Sequence, residues 1–138
     1  MVSVDYELQI PYIEHAGRHI PGIVVELQNP TDPDQRVELL AELDSGAEYS
    51  LFRGSLAPVL GLELLAGSVF KFNATNRSSI EARVHPLIIA HPELGRFRME
   101  LRFSVQDISR DLLGRDFFDL VQIGFREHHR LVFLTPRP

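Results

Sequence analysis

The sequence contains no cysteine. That absence excludes disulfides, thiolate nucleophiles and cysteine-based zinc sites together, and it fits a reducing compartment. Any basic tract is missing too. With a formal net charge of −5, the chain is poorly suited to neutralising a phosphate backbone, and no nucleic-acid partner is expected. No apolar run approaches the roughly 20 residues needed to cross a bilayer. Met1-Val2-Ser3-Val4-Asp5-Tyr6-Glu7 lacks the basic start and apolar stretch of a secretory leader. The expectation is a cytoplasmic protein with no membrane partner. There is no G-x-S-x-G elbow for a serine nucleophile, no P-loop and no dinucleotide-binding glycine pattern. Repeats, low-complexity tracts and interdomain linkers are also missing. Residues 1–138 therefore read as one domain, long enough to bury a real core.

What is present has a period of two. From Arg96 to Val105, Phe97, Met99, Leu101, Phe103 and Val105 share one side, while Arg96, Arg98, Glu100, Arg102 and Ser104 share the other, the pattern of a half-buried strand. Val37, Leu39, Ala41 and Leu43 make a second such face that leads directly into Asp44. Residues 69–74 and 80–84 read as a hairpin around the polar segment Thr75-Asn76-Arg77-Ser78-Ser79. Turn clusters at Asn29–Asp34 and His91–Gly95 separate further strands. Tyr6, Leu8, Ile10 and Tyr12 alternate with other residues within Met1–Pro21, which favours an ordered strand there. Only two stretches look helical: one around Ser55–Leu60, stopped by Gly61, and one from about Asp116 to Ile123, with Gly124 as its stop. The fold class is all-β with one short C-terminal helix.

Two histidine pairs invite a metal reading. His15 and His19 are four apart, a spacing that suits a metal only on a helix, and Pro11, Gly17 and Pro21 disfavour one there. His128-His129 lies in a polar turn before the Leu131–Leu134 strand. No metal site is expected.

The chemistry concentrates in two segments: Leu43-Asp44-Ser45-Gly46-Ala47-Glu48 at a strand end, and Leu112-Leu113-Gly114-Arg115-Asp116 before the last expected helix. An Asp-Ser-Gly triplet alone is weak, since chance supplies one in roughly every twenty chains of this length. Its plain reading is a surface turn. Here, however, the apolar run Val37–Leu43 precedes it, and Tyr49, Leu51 and Phe52 follow. A carboxylate between two buried strands is costly unless something hydrogen-bonds it or shares its charge.

In these two segments the chain resembles the retropepsin family of aspartic proteases. That family carries an Asp-Thr/Ser-Gly-Ala loop and, later, a hydrophobic-hydrophobic-Gly segment that often continues Arg-Asp. The resemblance spans about residues 37–134, with a hairpin between the motifs where the family has its flap. It implies a closed β-barrel, the single lobe of the acid-protease fold. It also implies an aspartic endopeptidase in which Asp44 is catalytic and Ser45, Gly46 and Ala47 shape its loop. Leu113, Gly114, Arg115, Asp116 and Glu48 are then supporting residues, with a Glu48–Arg115 salt bridge beneath the site. Ser45 is expected to reach across a two-fold axis to the partner loop. Peptide hydrolysis of this kind needs two carboxylates about 3 Å apart that share one proton. The chain has one such triplet, so a homodimer supplies the second as the other Asp44. The substrate is an extended polypeptide, the nucleophile is water, and no cofactor is needed. Thr75, Asn76, Arg77 and Ser78 form the flap tip, which lacks the family's glycines; Asn76 is the residue suited to a left-handed turn. Met1–Pro21 is surplus to the shortest viral members and reads as an extra N-terminal strand, an arm or a pro-segment. The alternative function is a catalytically silent dimerisation or peptide-binding module that holds an extended segment by strand addition.

Overall fold

The period-two segments form strands, and the chain between them turns where Gly, Pro, Asn and Asp cluster. The computed structural model describes residues 5–73 and 78–137. In chain order the strands are β1 (Leu8–Pro11), β2 (Ile13–His15), β3 (Arg18–Ile20), β4 (Gly22–Gln28), β5 (Arg36–Leu43) and β6 (Leu51–Arg53). β7 (Ser68–Asn73), β8 (Ser79–His91), β9 (Gly95–Ser104), β10 (Leu112–Leu113), β11 (Val121–Arg126) and β12 (Leu131–Pro136) follow, with a single turn of helix, α1 (Arg115–Phe118), between β10 and β11.

The main sheet runs β4-β5-β10-β6-β9-β8-β7, and β4 also pairs with β8, so the order closes on itself as a barrel requires. β8 makes the closure by changing partners along its length. Residues 79–84 pair with β7, whereas residues 88–90 pair with β4. Pro86, which lacks a donor, falls in the gap between those two ladders, where the strand is least penalised for it.

Alternation sends one face of each strand inward. Leu39, Ala41 and Leu43 of β5 and Leu101 and Phe103 of β9 are buried, and they join Leu27, Phe52, Leu87 and Leu113 in one hydrophobic cluster. Each large apolar side chain hidden this way contributes about 1.5–3 kcal/mol against the chain entropy lost. Val105 does not join them: it is 39% exposed, because β9 ends at Ser104, which is buried and donates its hydroxyl to the Gln106 carbonyl.

The N-terminal segment forms an extra strand. β1 pairs antiparallel with β12, which pairs in turn with β11, giving a three-stranded sheet beside the barrel. Tyr12 anchors it, with its amide donating to the Arg130 carbonyl at 2.8 Å and its hydroxyl to Glu127 Oε2 at 2.5 Å. β2 and β3 form a hairpin whose turn residues, Ala16 and Gly17, both have positive φ (51° and 75°). His15 pairs with Arg18 and His19 with Glu14, so the two histidines point to opposite faces of the hairpin.

The helices are shorter than the pattern suggests. The first is a 3-10 turn at Gly54–Leu56 followed by further turns, with Gly61 at φ +68°. The second stops at Phe118 instead of Ile123, because Val121 already pairs with Pro136 in β11. Gly124 is therefore not a helix stop. It sits mid-strand opposite Phe133, where an added Cβ would lie 3.0 Å from the Tyr6 hydroxyl. No helix of the described residues is long and apolar enough to cross a membrane.

Candidate active site

Asp44 stands one residue beyond the buried end of β5. Its amide donates to the Leu113 carbonyl (2.9 Å), and its own carbonyl accepts from the Ala47 amide (3.2 Å), which closes a tight turn. Inside that turn the Gly46 amide donates to Asp44 Oδ1 at 2.9 Å, while Oδ2 has no partner among the described residues. An added Cβ at Gly46 would meet Oδ1 at 3.2 Å, so glycine leaves the carboxylate its position. Asp44 is half-buried and Ser45 and Gly46 are exposed, so one edge of the carboxylate faces solvent. Ser45 makes no hydrogen bond within the described residues.

The second segment holds this turn from behind. β10 lies parallel to β5, with Leu113 opposite Leu43, and antiparallel to β6, with Leu112 opposite Leu51. Two residues thus wedge between the strand that enters the Asp44 turn and the strand that leaves it. Beyond the wedge, the amides of Arg115 and Asp116 donate to the carbonyls of Ala47 (2.9 Å) and Glu48 (3.2 Å). Gly114 makes the approach possible: an added Cβ would lie 2.6 Å from the Ala47 oxygen and 2.9 Å from the Tyr49 carbonyl carbon, both backbone.

The brace itself differs from the expected one. Glu48 and Arg115 are both exposed and form no ion pair among the described residues; the Asp116 amide donates to the Glu48 carbonyl instead. The side-chain brace is Asp116 with Ser50. The Asp116 carboxylate accepts from the Ser50 amide (3.0 Å), the Ser50 hydroxyl (2.6 Å) and the Phe117 amide (2.8 Å). Ser50 Oγ in turn accepts from the Gly114 amide at 3.0 Å, and Ser50 is fully buried. A buried network with every member satisfied fixes geometry strongly. Ser50 escaped the sequence reading because no spacing rule links it to a residue 66 positions away.

A second anchor also escaped it. Asp111, with a side chain only 2% exposed, receives Arg53 through its amide (2.9 Å) and its guanidinium (2.9 Å to Oδ2), tying β6 to the approach of β10. The Asp111 carbonyl accepts from the Glu42 amide at 2.9 Å, one residue before the end of β5.

Beside the Asp44 turn lies a cleft of about 400 Å³, walled by residues 46–49 on one side and by 70–73 of β7 on the other. Ser78 precedes β8, while Thr75, Asn76 and Arg77, the rest of the expected flap tip, lie outside the described residues. A larger cleft of about 480 Å³ lies between the β2–β3 hairpin and Ser109–Asp111, with none of residues 44–50 in its wall. The ion pairs Arg53–Asp111 and Arg110–Glu42 line it.

A closed barrel, with an Asp-Ser-Gly turn at one strand end and a Leu-Leu-Gly segment wedged behind it, is the retropepsin-like form of the acid-protease fold. Among solved structures, the chain is similar to a retropepsin-like aspartic protease from Rickettsia conorii, with 98% of this chain and 97% of that one aligned at a TM-score of 0.66 and 17% identity. It is also similar to the EIAV protease complexed with the inhibitor HBY-793, with 78% of this chain and 92% of that one aligned at a TM-score of 0.54 and 18% identity. No protein-family model and no curated protein matches the sequence.

Proposed function

We propose that the chain is an aspartic endopeptidase that acts as a homodimer, with Asp44 from each copy forming the catalytic dyad. The observation that carries this reading is the setting of Asp44. One carboxylate oxygen is fixed by the Gly46 amide, the other has no partner among the described residues, and a cleft opens beside the turn. The nearest acidic residue of the second motif, Asp116, is committed to Ser50 and Phe117 and has no oxygen to spare for substrate. A second copy is the source of the other acid.

In the dyad one carboxylate is ionised and the other protonated, because two like charges this close cannot both persist. The ionised member takes a proton from the bound water, whose oxygen attacks the peptide carbonyl carbon. The protonated member gives its proton to the carbonyl oxygen. Collapse of the resulting diol breaks the C–N bond as a proton passes to the leaving nitrogen, yielding a carboxylic acid and an amine. In this reading Ser45, on the exposed rim of the turn, meets the partner loop. β7, the end strand of the sheet order, is hydrogen-bonded on one side only among the described residues, and its other edge can receive a polypeptide backbone.

The test compares wild type with Asp44→Asn on a peptide library from about pH 4 to 7, the range of a shared-proton dyad. Loss of cleavage in the variant, with dimer mass unchanged by sedimentation, supports the assignment. A folded wild-type dimer that cleaves nothing across that range sinks it and favours the peptide-binding module.

A further inference from the structure

The outward face of β4 and β5 presents three successive cross-strand pairs: Gly22 with Glu42, Val24 with Leu40, and Glu26 with Glu38. The middle pair is apolar yet open to solvent, with Val24 48% and Leu40 42% exposed. A hollow lies at each end of it. The cleft of about 480 Å³ beneath the β2–β3 hairpin reaches Leu40, and one of about 620 Å³ beside the β8–β9 turn reaches Val24. Gly22 keeps the floor of the first open, since an added Cβ would lie 3.2 Å from both Ile13 Cδ1 and Leu40 Cδ1. None of residues 44–50 lines either hollow.

The two hollows carry opposite charge. Arg18, Arg53 and Arg110 line the first together with Glu42 and Asp111, an excess of one positive charge. Glu26, Glu38 and Arg96 line the second, an excess of one negative charge with histidine counted neutral. The arginines of the first hollow have donors to spare. Arg18 makes no hydrogen bond or ion pair among the described residues. Arg53 engages Asp111 through Nε and Nη2, which leaves Nη1, and Arg110 engages Glu42 through Nη1 alone. Two guanidinium groups are thus held in place by carboxylates, with unused N–H groups ready for another. At the far end, Glu26 and Glu38 stand directly opposite each other, and like charges in that register cost stability unless a cation relieves them.

The spacing selects the occupant. Same-face residues on a strand repeat every ~6.6–6.8 Å, so the arginine end and the glutamate end are ~13–14 Å apart with the apolar pair midway. An extended polypeptide has the same repeat. One excess charge at each end suits a single carboxylate and a single ammonium or guanidinium group. A second copy of this chain fits poorly, because a two-fold contact over Val24 and Leu40 sets hollow against hollow and fills neither.

We infer that the outward face of β4 and β5 docks an extended polypeptide segment in which a large apolar side chain is flanked, two residues away on either side, by a carboxylate and a basic group. The inference stands apart from the endopeptidase reading and uses none of residues 44–50.

The experiment uses two fluorescent peptides, with cores Glu-Ser-Leu-Ser-Lys and Lys-Ser-Leu-Ser-Glu, to cover both chain directions. Binding is followed by fluorescence anisotropy with Asp44→Asn, so the result holds whether or not the wild type cleaves. One of the two is expected to bind, with amide chemical-shift changes centred on residues 18–26 and 38–42. Changing its leucine to alanine is expected to weaken binding by roughly tenfold or more, and changing its glutamate to glutamine by about two- to fivefold. In Leu40→Ser the leucine-to-alanine ratio is expected to fall to within about threefold of unity. In Arg18→Glu the preference for glutamate over lysine at that peptide position is expected to fall about threefold or more. Both residues are exposed, and thermal unfolding checks that both variants fold. Preferences that survive these substitutions overturn the inference, as do shift changes confined to residues 46–49 or no binding of either peptide up to about 1 mM. Displacement of the peptide by an equal concentration of inorganic phosphate overturns it in favour of a simple anion site. Self-association of the protein that disappears in Leu40→Ser overturns it in favour of a second copy.

Discussion

Replacing Gly114 by alanine tests the close approach that holds the Asp44 turn. Its backbone angles, φ −103° and ψ −162°, are open to any residue, so the substitution brings no dihedral penalty of the kind seen at positive φ. The cost is steric. The new methyl group would meet the Ala47 oxygen at 2.6 Å and the Tyr49 carbonyl carbon at 2.9 Å, and neither is the end of a flexible side chain. The turn must move back, and overpacking of this sort costs about 1–3 kcal/mol. The movement also stretches three hydrogen bonds, Arg115 to Ala47, Asp116 to Glu48 and Gly114 to Ser50, each with a net worth of about 0.5–1.5 kcal/mol. The expected loss is roughly 3–5 kcal/mol, a large share of the stability of a chain this long. In thermal unfolding followed by circular dichroism that is a midpoint lowered by about 10–20 °C. A midpoint within about 3 °C of wild type would refute the argument, because it would mean the turn retreats without loss.

The Ser50–Asp116 brace predicts strong coupling. Ser50→Ala and Asp116→Ala should each destabilise by about 2–3 kcal/mol, and the double variant should lose about 1–3 kcal/mol less than their sum, read from urea unfolding. Additive losses would contradict the shared network. Tyr12 predicts an alkaline limb. Burial, joined by its hydrogen bond to Glu127 and the charge of that carboxylate, pushes the Tyr12 hydroxyl from 10.0 up to about 12. The unfolded chain then gives up this proton first, so stability is intact below pH 10.0 and falls as pH rises toward about 12. Tyr12→Phe should flatten that limb in pH-dependent unfolding, and an unchanged limb would show that Tyr12 is not its source.

Much of the barrel was legible because alternation is a strong signal where one face is buried. β5 and β9 read directly from Leu39, Ala41 and Leu43 and from Phe97 to Phe103, and the β4–β5 turn from Asn29–Asp34. The last helix was over-read because Phe117, Phe118, Val121 and Ile123 suit a helical stripe and a strand equally, and only pairing with β12 decides between them. β8 was read only as far as Val84 because Pro86 looks like a terminator, and its partner change is invisible in one dimension. At the site, the Asp44 turn and the Gly114 wedge were both found, since each carries an unusual residue combination. Glu48–Arg115 failed where Ser50–Asp116 succeeded because geometry, not opposite charge, determines which side chains meet. Alternation set Arg102 on the face opposite Leu101 and Phe103, but could not show that the rings of Phe70 and Tyr49, 32 and 53 positions away, stack on it.

The wedge of β10 also sets a schedule. Everything that holds the Asp44 turn from behind, from Asp111 to Phe117, is translated long after the turn itself; Ser50 precedes its partner Asp116 by 66 residues. At typical ribosome speeds that is an interval of ~3–13 s in which the aspartate has emerged and its frame has not. A growing chain therefore carries its carboxylate on a turn held only by the β4–β5 pairing and by the turn's own hydrogen bonds. On the homodimer proposed above, nascent copies crowded on one messenger RNA cannot assemble a working pair until each has delivered those late residues.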